Sequence, residues 1–292
     1  MKGRVIGELD HLLSDRDWLI LSSVQGFRFL TTRQIARQHF GHEAGPAPIP
    51  RNANQTLSRL RDLGLLSNLE RRIGGVRAGS AGFVWQLTEL GDRALHARLG
   101  RERQSRMRPY EPSTSFLDHT LAIAEVVITL QEISRSAHVG LLHLQLEPEC
   151  WRNYVGPSGE TRTLKPDVAA VTQSSGFEDH WFIEVDRATE PPNRIVKKCL
   201  QYQEYRVTGH EQARVGLFPA VVWAVPNERR RNQLTGRLHG ESAIDPRLFS
   251  VVTTPEIKEL VESGAAQFQR RRGEATSALV SRGNRLSPAR IH

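Results

Sequence analysis

The sequence predicts an α/β protein in two parts, a helix-rich N-terminal module and a larger C-terminal mixed sheet flanked by helices. Three observations lead there. Up to about residue 98, apolar residues recur at helical spacing, with only two short strand-like runs, "LLSNLERR" and "FVWQLT", around a glycine-rich turn. Beyond residue 115, helical patterns alternate with short apolar, β-branched runs, the signature of strands and helices in one layered domain. Charge is also segregated: the whole chain carries +8, with +7 over residues 1–112, −4 over 113–269 and +5 over 270–292. Only five of the 40 basic residues are lysine. That arginine bias is general and would not by itself sort the charge. A basic front, an acidic middle and a basic tail suit a nucleic-acid-binding module joined to carboxylate chemistry.

The same composition excludes other classes. No apolar run approaches the roughly 20 residues that span a bilayer, and the N-terminus has no signal-like core before acids appear. The expectation is a cytoplasmic chain with no membrane association. Cys150 and Cys199 are too few for a disulfide scaffold or a zinc knuckle, so reduced thiols are expected.

In the first module a helix is expected at about Ser14–Val24, capped by Ser14 or Asp15, with Trp18, Leu19, Leu21 and Val24 as its apolar face. Thr31 or Thr32 caps a short second helix whose Ile35, Ala36 and His39/Phe40 turn inward, and Gly41 ends it. A Pro/Gly loop leads to a third helix with Ala53, Leu57, Leu60 and Leu63 at helical spacing, closed by Gly64. Two strands around the glycine-rich turn and a last helix, "ELGDRALHARLG", complete residues 1–100.

Three helices, a hairpin and a closing helix, with the phrase "TLSRLRDLGLLSNLERR…FVWQLTELGDRAL", resemble a winged helix-turn-helix. With Ala53, Leu57 and Leu60 inside, the third helix leaves Arg51, Asn52, Asn54, Gln55, Arg59 and Arg61 for a major groove. Asn, Gln and Arg are the side chains that bond base edges bidentately. Arg71, Arg72 and Arg77 on the wing suit phosphate or minor-groove contact. The expected ligand is double-stranded DNA. A protein-docking module is the competing reading of such a fold.

Residues 101–114, "RERQSRMRPYEPST", are polar and lack periodicity, as a linker should. The second domain is expected over 115–269. It opens with the helix "SFLDHTLAIAEVVITLQEISRS", in which Glu125 is flanked by apolar residues and, if partly buried, needs a partner. "LLHLQLEPECWRNYV", "TLKPDVAAVTQ" and "HWFIEVDRATE" read as three strands, followed by a helix Asn193–Val207. "FPAVVWAVPN" is a continuous apolar run, as in a sheet interior; a helix, a short strand "LFSVVTT" and a final helix follow. The tail, 270–292, is basic, poor in apolar residues and expected to be disordered or to bind phosphate.

A helix, then "PD" (Pro166–Asp167) on the second strand and "E-x-D" (Glu184, Asp186) on the third, resembles the PD-(D/E)xK nuclease-like superfamily. That resemblance implies a magnesium or manganese ion held by Asp167 and Glu184, with Glu125 completing the site. Magnesium takes oxygen ligands and keeps several waters, and such an ion activates water at a phosphate. The superfamily's lysine normally lies two residues beyond the second acid, where this chain has Asp186. Residues two apart on a strand face the same way, so Asp186 is expected to aim at the same region. In some superfamily members the lysine has moved to the following helix, which here carries Lys197 and Lys198. On that helix Gln201 and Tyr205 match the QxxxY signature of RecB-like nucleases and share a face at i, i+4.

The order of an N-terminal winged helix, "LDHTLAIAEV", "LKPDVAAV", "FIEVDRATE" and "KKCLQYQEY" resembles the replication-relaxation proteins of plasmids and mobile elements. The resemblance covers about residues 10–225. It implies a role in replication, relaxation or processing of DNA, with Asp167, Glu184, Asp186 and Lys198 as the positions to watch. Three readings stay open, led by a magnesium-dependent DNA nickase or endonuclease and a catalytically inactive DNA-binding regulator or replication scaffold. A transcriptional repressor whose second domain dimerises is a third. Replication or conjugation proteins as partners, and a homodimer, are compatible with any of them.

Overall fold

The computed structural model describes residues 9, 11–41, 48–69, 83–100, 112–135, 138–265, 267 and 268. Arg71, Arg72 and Arg77, which the sequence analysis expects on a wing, residues 101–111 and the tail beyond 268 lie outside the described residues. The chain divides into two compact units, 1–128 and 129–292. The fold is α/β, with a mixed five-stranded sheet. Among the described residues, no helix is long and apolar enough to cross a membrane.

In the first unit, helix α1 (Asp15–Phe27) starts at Ser14, whose hydroxyl accepts from the Asp17 backbone N–H while the Asp17 carboxylate accepts from the Ser14 backbone. This reciprocal box satisfies donors that a helix start leaves open. Strand β1 (Leu30–Thr31) precedes α2 (Thr32–His39), which Thr31 and Gln34 cap in the same way. Helix α3 (Arg51–Asp62) buries Ala53, Leu57 and Leu60, as their spacing predicts. β2 (Leu66–Asn68) and β3 (Val84–Leu87) follow, then α4 (Glu89–Arg98), capped by Thr88. The sheet order is β1-β3-β2, antiparallel throughout.

Two expectations change here. The sequence reading has two strands, but Leu30–Thr31 adds a third by pairing with Val84–Trp85; a two-residue strand has no period to detect. Leu19 is exposed and Ile20 is buried, so the inward stripe of α1 runs through Ile20, Leu21 and Val24. Helix α5 (Thr114–Ser134) belongs to this unit as far as Ile128, with Leu117 and Leu121 packed on Phe29 and Val84.

The second unit is built on the sheet β10-β9-β8-β7-β4: β4 (Val139–Leu146), β7 (Val168–Ser174), β8 (Phe177–Val185), β9 (Ala220–Val225) and β10 (Phe249–Thr253). β4–β7 and β7–β8 are antiparallel; β8–β9 and β9–β10 are parallel. A separate hairpin, β5 (Arg152–Val155) and β6 (Thr161–Leu164), interrupts the order. Two runs expected as single strands are therefore each two. Pro148 and Pro166 lie in the breaks, and proline cannot donate to a ladder.

Parallel neighbours need crossovers. Helix α6 (Pro192–Val207) with the short α7 (His210–Val215) joins β8 to β9, and α8 (Glu228–His239) joins β9 to β10. Two right-handed crossovers stepping the same way along a sheet put both helices on one face. Accordingly Ile195, Val196, Cys199 and Tyr202 of α6 and Leu234 and Leu238 of α8 share one core with Phe182, Val221, Trp223, Phe249 and Val251 of the sheet. The last helix is α9 (Ile257–Ser263).

Candidate functional site

β8 is a central strand whose alternate residues Phe182 and Glu184 project to the face covered by α6 and α8. Glu184 is thus a carboxylate in an apolar layer, 1% exposed. Such a group needs partners, and α6 supplies two, one turn apart. The Tyr202 hydroxyl donates to Glu184 Oε1 at 2.5 Å. The Lys198 ammonium donates to Glu184 Oε2 and forms an ion pair with it.

Asp167 lies one step beyond the Val168–Ile183 pair of the antiparallel β7–β8 ladder. The register sets it opposite Glu184, and cross-strand neighbours share a face. Its Oδ2 accepts from the Val185 backbone N–H at 2.7 Å. The start of β7 and the carboxyl end of β8 therefore bring two acids together, and Lys198 reaches them from above. Glu184 sits at the carboxyl end of its strand, the end where open α/β sheets bind ligands.

The electrostatics follow from this packing. Burial pushes the Glu184 carboxyl up to about 7; Lys198 pulls the other way and Asp167 adds to the rise. Burial lowers the Lys198 ammonium, but the adjacent Glu184 and Asp167 outweigh it and hold the pKa above its ordinary value. Burial likewise raises the Tyr202 hydroxyl well above its ordinary value, with Glu184 adding to it, so Tyr202 is a fixed donor. The centre is an acid pair with a charged ammonium and a neutral phenol on one of the acids. Its Lys198 side is 30% exposed.

Among the described residues, no group of three or more His, Cys, Asp or Glu could hold an ion. Two acids suffice for magnesium, which is held by one or two carboxylates with waters and substrate phosphate oxygens. They do not suffice for an ion caged by protein alone.

The other expected site residues have other neighbours. Asp186 points to the same face as Glu184, but its carboxylate meets α8: Arg230 Nε donates to Oδ2 at 2.6 Å and Nη2 to Oδ1 at 3.1 Å. Glu125 pairs with Arg37 of α2, and Gln34 Nε2 lies 3.4 Å from its Oε2; the partner its setting demanded is an arginine of the first unit. Lys197, next to Lys198 and about 100° around the helix, is exposed. Gln201 and Tyr205 share a face, but it faces the β5–β6 hairpin: Gln201 Nε2 donates to the Thr163 carbonyl at 3.1 Å, and the Tyr205 ring lies 5.2 Å from that of Tyr154. Tyr202 and Arg230 are absent from the sequence reading. Tyr202 was within reach of it, since Lys198 and Tyr202 are themselves an i, i+4 pair.

On α3, Arg51, Asn52, Gln55 and Arg61 are exposed, and a shallow concavity is lined by Arg51, Asn54, Gln55, Ser58 and Arg59. Arg59 is drawn aside, because its Nη2 pairs at 2.6 Å with Asp17, a buried carboxylate of α1. That contact competes with any role of Arg59 on a ligand.

No curated protein and no solved structure matches this chain. The replication-relaxation family model matches residues 21–221, more than half of the chain and the span that holds α3, Asp167, Glu184 and Lys198. The chain belongs to the replication-relaxation family.

Proposed function

We propose that this protein acts on the DNA of a plasmid or mobile element in replication or relaxation, binding duplex through α3 and nicking it at the Asp167–Glu184–Lys198 centre. In this reading the first unit is a winged helix-turn-helix and the second a PD-(D/E)xK-like domain. The observation that carries it is the ion pair between Lys198 of α6 and Glu184; in this reading Lys198 stands in for the lysine absent two residues beyond that acid. Asp167 and Glu184 would hold magnesium or manganese, which when bound supplies positive charge to the phosphate and a polarised water. Lys198 orients the attacking water and countercharges the acids, and Tyr202 fixes the Glu184 carboxylate.

One observation favours a second reading, a regulator or scaffold without catalysis. Both Glu184 oxygens accept from protein donors, Lys198 and Tyr202, so the acid is already satisfied. The two readings part in one experiment. Supercoiled plasmid is incubated with protein and magnesium or manganese, beside Asp167→Ala, Glu184→Ala and Lys198→Ala. Open circles from the wild type and none from the variants are expected. No cleavage, together with no calorimetric binding of manganese, sinks the nuclease reading and leaves the scaffold.

A further inference from the structure

We propose that Arg230 is a positioning residue for Lys198: it clamps the connection between β8 and α6 and so holds the ammonium on Glu184. The proposal rests on Lys198 being the working cation of the centre. Glu184 and Lys198 are on consecutive elements, and what lies between them is the connection Asp186–Pro191. Arg230 grips it at both ends. Its Nε and Nη2 take the two oxygens of Asp186, and the same Nη2 donates to the Glu190 carbonyl at 2.6 Å.

The grip is rigid on both sides. Arg230 stands in the first turn of α8, where its backbone N–H is capped by Asn227 at 3.0 Å, and its Nη1 donates to Gln233 at 2.9 Å. Within the connection, Asp186 Oδ1 also accepts from the Ala188 N–H at 3.1 Å. Ala188 has φ 60, a left-handed conformation that an L side chain adopts only when its surroundings impose it. Arg230 and Asp186 are both buried, so the fork is not loosened by water. An ion pair that merely joined two elements would need only Asp186. Reaching Glu190 as well fixes the length and path of the connection, and with it the rotation of α6 that points Lys198 at β8.

The test reads the amine directly. The full-length chain is acetylated with N-hydroxysuccinimide acetate, and each of the five lysines is followed by peptide mass spectrometry, with fragmentation separating Lys197 from Lys198. Arg230→Lys keeps a charge but loses the fork; Asp186→Asn keeps the shape and loses one acceptor. In both variants Lys198 is expected to acetylate severalfold faster, with Lys165 and Lys258 at wild-type rates. An unchanged Lys198 rate in both overturns the proposal, and so does a uniform rise at every lysine, which would mark general loosening. The readout does not depend on cleavage: failure both to nick plasmid and to bind manganese sinks the nuclease reading and leaves this result standing.

Discussion

Glu184→Gln should change how stability depends on pH. In the folded protein the Glu184 carboxyl titrates at about 7, against an ordinary value of 4.5, so the folded state holds this proton more tightly than the unfolded state does. As pH rises from 4.5 to 7, the unfolded chain loses the proton first, and the wild type is progressively destabilised; above 7 the loss is complete and constant. At about 1.4 kcal/mol for each tenfold difference in proton affinity, the full loss is about 3 kcal/mol. Lys198 has its pKa raised from 10.5, so its stabilising contribution is fully present throughout this window and fades only at more alkaline pH. Glutamine keeps an acceptor for Tyr202 and cannot titrate. The assay is urea unfolding at pH 5, 6, 7 and 8, followed by tryptophan fluorescence, with Trp181 and Trp223 on the same sheet as reporters. The stability of the variant relative to wild type should climb by about 2–3 kcal/mol between pH 5 and pH 8, the first part of the loss having already occurred by pH 5, whatever constant offset the substitution adds. Parallel profiles for the two proteins would refute the assignment of a buried, proton-holding carboxyl to this position.

Three further substitutions test the first unit. Gly91→Ala places a Cβ 2.2 Å from the Leu65 carbonyl oxygen, against backbone that cannot step aside; thermal unfolding should show a loss of at least about 2 kcal/mol despite alanine's better helix propensity, and an unchanged midpoint would count against this close approach of α4 to the chain before β2. Arg59→Ala leaves Asp17 buried without its cation and should cost about 1–2 kcal/mol of stability, less than a fully buried pair because Arg59 is half exposed. Gln55→Ala removes no charged partner among the described residues and should instead weaken duplex binding by about 1–3 kcal/mol at unchanged stability. Swapped outcomes in a gel-shift titration at fixed salt and a urea melt would reverse the roles given to the two side chains.

Local periodicity already encodes one part of this protein. The buried stripe Ala53, Leu57 and Leu60, the cap at Thr31, and the apolar β9 between two neighbours were all legible, because each follows from the geometry of one helix, one cap or one strand. Asp167 and Glu184 were legible for a related reason: one stands at the start of an apolar strand and the other near the end of the next, and antiparallel register then aligns them. Tertiary structure decided the rest. Which α6 residues meet Glu184 depends on how the helix is rotated on the sheet, and that rotation selects Lys198 and Tyr202 while turning Gln201 and Tyr205 to the β5–β6 hairpin. Asp186 takes a partner from α8, 44 residues along the chain, so no local pattern could separate it from Glu184, though both face the same way. Glu125 and Arg59 are likewise claimed by Arg37 and Asp17, which lie far from them in sequence. A side chain's chemistry is written in its type and its strand or helix position. Its occupation is set by whichever opposite charge the packing brings within about 3 Å, and only the folded chain contains that distance.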